Sequence, residues 1–401
     1  MAVATSGRTV ALVATVLCVA VSGSACSTPP PRSPAPATGS APAASGKPAG
    51  TPPPPAGTVA AGRAICIGPV PAGWASLSGA HSVATPDGLA FTVDAVAGDT
   101  AFGQYQSATA SGVGELDLAT GRLTRISTYP GQIGGVGWMS VEAPWLVWEQ
   151  LDSRSELRDW SVHAWNQSTG AASVLATSHQ PDGSLVQGPQ PLPVLRNGRV
   201  AWAQPVPGGS PGTVISQLRV VDLASGTATV VANGRLSSPV FAGRYLVWAT
   251  VAGQADFALG AVDADTLHAA ALPALPGSPG PIGQLAGAPD YLVWSTQDST
   301  GLVVWRWGSA QYDRFSSDDG VHFFQFMRVA GHFLVWFAGG TSSVLDLTTG
   351  NGFDVSGTVT GSADSVVLAQ PVGQAGGKAA LVASRVSRIA VGAAPSIAGC
   401  R

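Results

Sequence analysis

One short phrase recurs along the chain, and it narrows the possible folds more than anything else. It reads Trp145-Leu-Val-Trp148, Arg199-Val-Ala-Trp202, Tyr245-Leu-Val-Trp248, Tyr291-Leu-Val-Trp294 and Phe333-Leu-Val-Trp336, with the final Trp residues 54, 46, 46 and 42 positions apart. Weaker copies flank the series at Leu89-Ala-Phe91 and Ser365-Val-Val-Leu368. A second phrase follows the first, as Glu115-Leu-Asp-Leu-Ala-Thr-Gly121, Val220-Val-Asp-Leu-Ala-Ser-Gly226 and Val344-Leu-Asp-Leu-Thr-Thr-Gly350, with degenerate copies at Ala164–Gly170 and Ala261–Asp265. Each is an apolar run, a small-polar-Gly turn and a further apolar run. This is the signature of a hairpin whose glycine supplies a positive φ. One more short run precedes each Trp phrase, such as Ser238–Phe241 or Phe324–Met327.

Each unit therefore holds four short strands, and no 3.6-residue periodicity competes with them after the N-terminal apolar run. The Trp strand is apolar on both faces, which suits a sheet sandwiched between two neighbours. Four antiparallel strands repeated every 40–50 residues describe an all-β fold, a β-propeller. Seven copies predict seven four-stranded blades, with six or eight left open because the first and last copies lack Trp. The Trp residues read as inter-blade packing rather than as a sugar-stacking ladder. Glycine at 51 and proline at 31 fit a chain of many turns.

Charged residues make up 11%, 20 basic against 23 acidic, a balance that excludes a basic nucleic-acid surface. The first 25 residues read as an export signal. Arg8 precedes the apolar run Thr9–Val21, and Ser22-Gly-Ser-Ala25 offers small residues before a cut. The run is too short to span a bilayer. Residues 26–63 form a tether, with 11 prolines in Ser27–Gly62 and almost no apolar side chain larger than Ala. Such a segment cannot bury enough surface to offset its ordering entropy. The propeller occupies 64–401. Small residues directly before Cys26 resemble a bacterial lipobox, which implies that Cys26 carries a lipid. Gly23 stands where such boxes usually have Leu or Val, so ordinary cleavage after Ala25 stays the alternative. After processing, Cys66 and Cys400 remain in the folded part, and in an oxidising compartment they are expected to pair.

The Asp-Leu-x-Thr-Gly hairpins and their spacing resemble the secreted bacterial β-propeller repeats of the TolB, YVTN and related quinoprotein-like families, over most of 64–401. The resemblance implies fold, not activity; such folds serve protein docking, ligand binding and occasional lyase or hydrolase chemistry. The motifs that resemble chemical sites read as structure. Gly208-Gly-Ser210-Pro-Gly212 fits G-x-S-x-G but lies between strands, without the helix that a nucleophile elbow needs. Ser316–Phe323 resembles a single Asp-box, a turn that sialidase propellers carry several times. The six His never adopt ligand spacing, and no glycine-rich loop carries a lysine. No catalytic residue, metal or cofactor is therefore expected.

The expected function is that of an exported, lipid-anchored monomer that binds a protein or cell-envelope component. The alternative is a hydrolase or lyase acting on extracellular or cell-envelope glycans. The last unit looks able to supply its own strands, from Asp354-Val355 through Ser365–Leu368 and Ala380–Ala383 to Arg388–Val391, with the Cys66–Cys400 bridge as clasp. Insertions at 95–112, 149–159 and 204–217 share the second-to-third-strand connection, so the binding face is expected there, with Asp99, Tyr105, Asp152, Arg154 and Arg158 as contacts. Both cysteine expectations can be read in one preparation. Cys26→Ala should move the protein from the membrane pellet to the medium, and thiol labelling of the released protein should find Cys66 and Cys400 blocked until reductant is added.

Overall fold

The computed structural model describes residues 62–399, except 87–88, 130–134, 154, 157, 187, 211–212, 252–256, 318–323, 339–340 and 373–382. The expected export signal, Cys26 with the expected tether up to 61, and Cys400 lie outside the described residues. Seven sheets follow one another along the chain, six of them built on consecutive antiparallel strands and the seventh completed by a strand from the N-terminal side. Blade 1 is Ala90–Ala97, Thr100–Gln106, Ser111–Asp117 and Leu123–Arg125; blade 2 is Gly135–Glu142, Trp145–Leu151, Trp160–Asn166 and Ala172–Thr177. Blade 3 is Val194–Arg196, Arg199–Pro207, Val214–Asp222 and Ala228–Gly234. Blade 4 has Val240–Ala242, Tyr245–Val251 and Phe257–Asp263, its fourth position held by a single bridge from Val262 to Ala269. Blade 5 is Leu285–Gly287, Tyr291–Ser295, Gly301–Arg306 and Asp313–Ser316; blade 6 is Arg328–Ala330, Phe333–Ala338, Thr341–Asp346 and Asn351–Val355. The seven-bladed β-propeller expected from the repeat is the observed fold.

The core is divided among the seams between blades. Seven apolar clusters occur, each joining two neighbouring sheets, and Trp148, Trp202, Trp248, Trp294 and Trp336 are all buried in them. The Asp-Leu hairpins turn as expected. Asp117 Oδ1 accepts from the Ala119 and Thr120 amides at 2.9 Å each, and Asp222 Oδ1 from Ala224 and Ser225 at 3.1 and 2.9 Å. Gly121 and Gly226 close these turns at φ 73° and 72°.

Four expectations need correction. Leu89-Ala-Phe91 does not mark the second strand of blade 1. Thr100 pairs with Asp117 as Trp145 pairs with Asn166, so Gly103 takes the place of Trp148. Phe91, from the innermost strand, fills the missing volume, with its Cζ 3.2 Å from where a Gly103 Cβ would stand. Second, the segment 95–112 is not an insertion but runs through three strands of blade 1 and the two short turns between them.

Third, the last blade does not complete itself. Asp354 and Val355 belong to blade 6, and blade 7 is Thr358–Gly361, Ser365–Pro371, Ser384–Ala390 and then Ser82–Ala84 from the N-terminal side. Ala383 leads into the third strand, and 380–382 lie outside the described residues. The N-terminal segment also adds a fifth, parallel strand to two other blades: Arg63–Ala64 to Asp313–Ser316, and Cys66–Gly68 to Asn351–Val355. Pairing thus begins one residue before the expected boundary. Cys66 stands opposite Asn351, whose Nδ2 donates to the Ile397 carbonyl at 3.0 Å, so the C-terminal stretch runs beside it.

Fourth, one helix interrupts the strands, Ala72–Ala80. Its sequence has no capping side chain and no apolar stripe, and a nine-residue helix is marginal by itself. It forms because Trp74 anchors it in the seam between blades 6 and 7. The indole lies edge-on to Phe333 and Phe353 at 5.1 and 5.0 Å, and its Nε1 donates to the Pro395 carbonyl at 2.9 Å. Trp74→Ala should cost about 3–5 kcal/mol in urea unfolding, because a fully buried aromatic leaves a cavity at the joint.

Candidate functional site

Alternation of strand direction sorts the loops. Second-to-third connections and those leading into the next blade emerge on one face, here called upper; the others form the lower face. Several lower turns are tight, such as Gly98-Asp99 and Asn197-Gly198. The upper face carries the long connections 152–159, 178–193 and 270–284.

Four successive blade-to-blade connections on the upper face converge on a cavity of about 340 Å3 at the mouth of the axial channel. Gln190 comes from the connection into blade 3, Ser238 from that into blade 4, Gln284 from that into blade 5, and Gln325 and Phe326 from that into blade 6. Phe326 holds φ 49°, a region that bulky side chains rarely adopt. Its ring lies 6.4 Å from that of Trp138 on the innermost strand of blade 2. The Arg328 guanidinium sits 3.8 Å over Trp138 and donates through a terminal nitrogen to the Met139 carbonyl. Arg328 belongs to blade 6, so its side chain reaches across the ring to blade 2.

Asp94, at the bulge in the innermost strand of blade 1, also lines this interior. Enclosure by protein pushes its carboxyl up to about 7, against the opposing pull of Arg328 and of hydrogen bonding with Gln104. Both groups keep some accessible surface, because they face the channel rather than a seam. The same enclosure lowers Arg328 to about 10, which leaves it charged at neutral pH. Asp94 Oδ2 has no partner among the described residues.

Glu149 is a different case. It opens the charge-rich run 149–159 yet is wholly buried, on the face of its strand shared with Val147, which packs in the seam toward blade 3. Its carboxyl fills the space left by Gly137, where a Cβ would lie 2.1 Å from Oε2. Burial, with the charge of Asp152 nearby, pushes it up to about 8.

The expected contact residues do not form one set. Tyr105 is fully buried, with its hydroxyl 2.8 Å from Thr128 Oγ1, so it is a core residue and not a contact. Asp99 is exposed but sits on the lower face, 3.0 Å from Arg388, beside a cavity of about 470 Å3 walled by the helix 72–80 and the closing strand. That cavity belongs to the ring's joint. Asp152 and Arg158 do share an upper-face loop, but both are engaged there: Gln150 Nε2 donates to Asp152 at 2.6 Å, and Arg158 grips Glu156 with two bonds of 2.6 and 2.5 Å. Arg154 lies outside the described residues. Of the insertion at 204–217, all but 208–213 is strand. Ser210 of the G-x-S-x-G match sits in that hairpin loop, followed by strand and not helix, and Pro211 and Gly212 lie outside the described residues. Ser316 of the Asp-box resemblance ends a strand of blade 5, and 318–323 are likewise outside. Among the described residues, no group of His, Cys, Asp and Glu is placed to hold a metal ion.

Sequence reading missed Asp94, Gln284 and the group Gln325, Phe326 and Arg328, which come from three units with no shared spacing. Folded Glu149 keeps its proton to about 8, whereas an unfolded glutamate loses it near 4.5. The native state therefore binds more protons in that window, and its stability falls as pH rises through it. Glu149→Gln should flatten the fall in Tm between about pH 5 and pH 9, measured by calorimetry at half-unit steps.

No protein-family model matches the chain, and no curated protein matches it. Solved structures similar to it include the β-propeller domain of the Trilobed protease from Pyrococcus furiosus, at 9% identity and TM-score 0.41, covering 70% of this chain and 91% of that one. Apo AztD from Citrobacter koseri is similar at 13% identity and TM-score 0.39, covering 72% and 81%. An oligogalacturonate lyase in complex with manganese is similar at 13% identity and TM-score 0.41, covering 74% and 75%. At these scores the likeness concerns overall shape and carries no chemistry across.

Proposed function

We propose that this chain is an exported, lipid-tethered binding module, and that its ligand from the cell envelope enters the axial mouth on the upper face. One observation carries the reading. The mouth is a preformed cavity in which four connections place polar side chains around an aromatic ring, the Gln284 and Gln325 side chains among them. Pockets that bind small groups have this form, an apolar lining with a few convergent polar groups. In the loop 152–159, by contrast, the described charges are engaged, Arg158 with Glu156 and Asp159 with His179. Lipidation of Cys26 and a Cys66–Cys400 bridge are part of the proposal. The N-terminal signal and proline-rich tether support the first, and the Asn351–Ile397 contact beside Cys66 supports the second.

A catalytic reading has one feature in its favour, the raised Asp94 carboxyl at the channel. Glycoside cleavage generally uses two carboxyl groups facing one site. Glu149, the other strongly raised acid, is turned into a seam instead. Binding is the reading that the geometry supports.

Ser238→Trp should plug the mouth and abolish association of the purified exported protein with washed envelope fractions. Ala224→Trp, on an exposed lower-face turn, should leave association unchanged in the same sedimentation assay. Equal binding by both variants would move the site elsewhere.

A further inference from the structure

We infer that the axial mouth is a subsite for one uncharged sugar ring, the kind presented at the end of an envelope glycan. The inference rests on the binding-module reading and adds the class of ligand. Among the described residues the cavity lining contains no charged side chain, although Arg328 stands only two residues beyond Phe326. A ligand carrying a formal charge would leave water for this mouth with no opposite charge among the described lining residues to compensate it. Amides and hydroxyls instead supply donor and acceptor on the same group. Vicinal sugar hydroxyls, each both donor and acceptor, match that pattern, and Gln284, Gln325 and Ser238 stand ready on three different connections.

The second element is the ring of Phe326. A pyranose has an apolar face of C–H groups beside its polar edge, and an aromatic side chain flanked by amides answers both. Phe326 is half-buried in the cavity wall, backed by Trp138, which is itself held by Arg328. Its backbone sits at φ 49°, a conformation costly for a bulky residue. Glycine would adopt it without strain, so the phenyl ring is kept against the local preference of the chain. At about 340 Å3 the cavity is near the lower end of ligand pockets, sized for one ring and not for an extended chain. The four connections that wall it leave the rest of a polymer outside.

The test titrates the purified exported protein with neutral methyl hexosides and N-acetylhexosamines, with the corresponding hexuronates as charged controls. Calorimetry and tryptophan fluorescence are the readouts. At least one neutral pyranoside should bind saturably with Kd of about 1 mM or tighter, and its hexuronate should bind at least tenfold more weakly. Phe326→Gly should weaken the sugar at least tenfold while Tm holds or rises, because glycine suits that φ; Gln284→Ala should weaken it with Tm unchanged. An isolated envelope polysaccharide ending in the same sugar should compete with the free glycoside if the polymer end is the ligand, and should fail to compete if only the free sugar is bound. Absence of saturable binding across the neutral series, or an affinity indifferent to both substitutions, overturns the sugar assignment. If the sugars fail while Ser238→Trp still abolishes envelope association, the class of ligand is wrong and the binding module stands.

Discussion

A ring of sheets has no free end at which to stop, so every seam must be apolar on both sides and the last must be sealed by chain from elsewhere. In this propeller the sealing contact is Trp74 with its two phenylalanines, supported by the strand Ser82–Ala84 that completes blade 7. Ser78 and Ser387, 309 residues apart, share a hydrogen bond of 3.0 Å at the same joint. The channel, the mouth and the order of the upper connections all presuppose that closure. Holding together groups so distant in sequence costs little more than holding nearer ones, since loop entropy grows only logarithmically. Non-local pairing of this kind does slow folding, because the loop must be closed before its contacts stabilise anything.

What the sequence made legible is the part of the structure that repeats. The Trp phrase and the Asp-Leu turn recur because every seam poses the same packing problem and every hairpin the same positive φ. Blade 1 escaped because it solves the seam differently, with Gly103 where others have Trp and with Phe91 bringing the bulk from another strand. The closing strand escaped because Ser82-Val-Ala84 carries no phrase at all; only the incompleteness of blade 7 calls for it. The helix 72–80 has no periodic signal because tertiary contact, not propensity, makes it.

The candidate site was illegible for a related reason. Phe326, Gln284 and Ser238 each sit in the irregular approach to a blade, where units differ most, and nothing in their spacing links them. Arg328 reads in sequence as one cation among apolar neighbours, yet it spans the ring to reach Trp138 and Met139. Glu149 misled in the opposite direction: a charge at the head of a polar run lies wholly inside, next to a glycine whose missing side chain makes room for it. Repetition reports scaffold, and the departures from it report where the scaffold was put to use.

The two parallel strands that the N-terminal segment adds to blades 5 and 6 give the domain a mechanical property. A pull on the chain ahead of Gly62 meets the pairing of Arg63–Ala64 first and then that of Cys66–Gly68, where the proposed bridge would hold Cys66 covalently; the buried Trp74 and the strand that closes the ring lie further along. Load from the leading end therefore falls first on two short pairs at the rim. The ring joint is the last element in the line to feel the load, so a protein hauled by its leading end yields at its circumference before its channel changes shape.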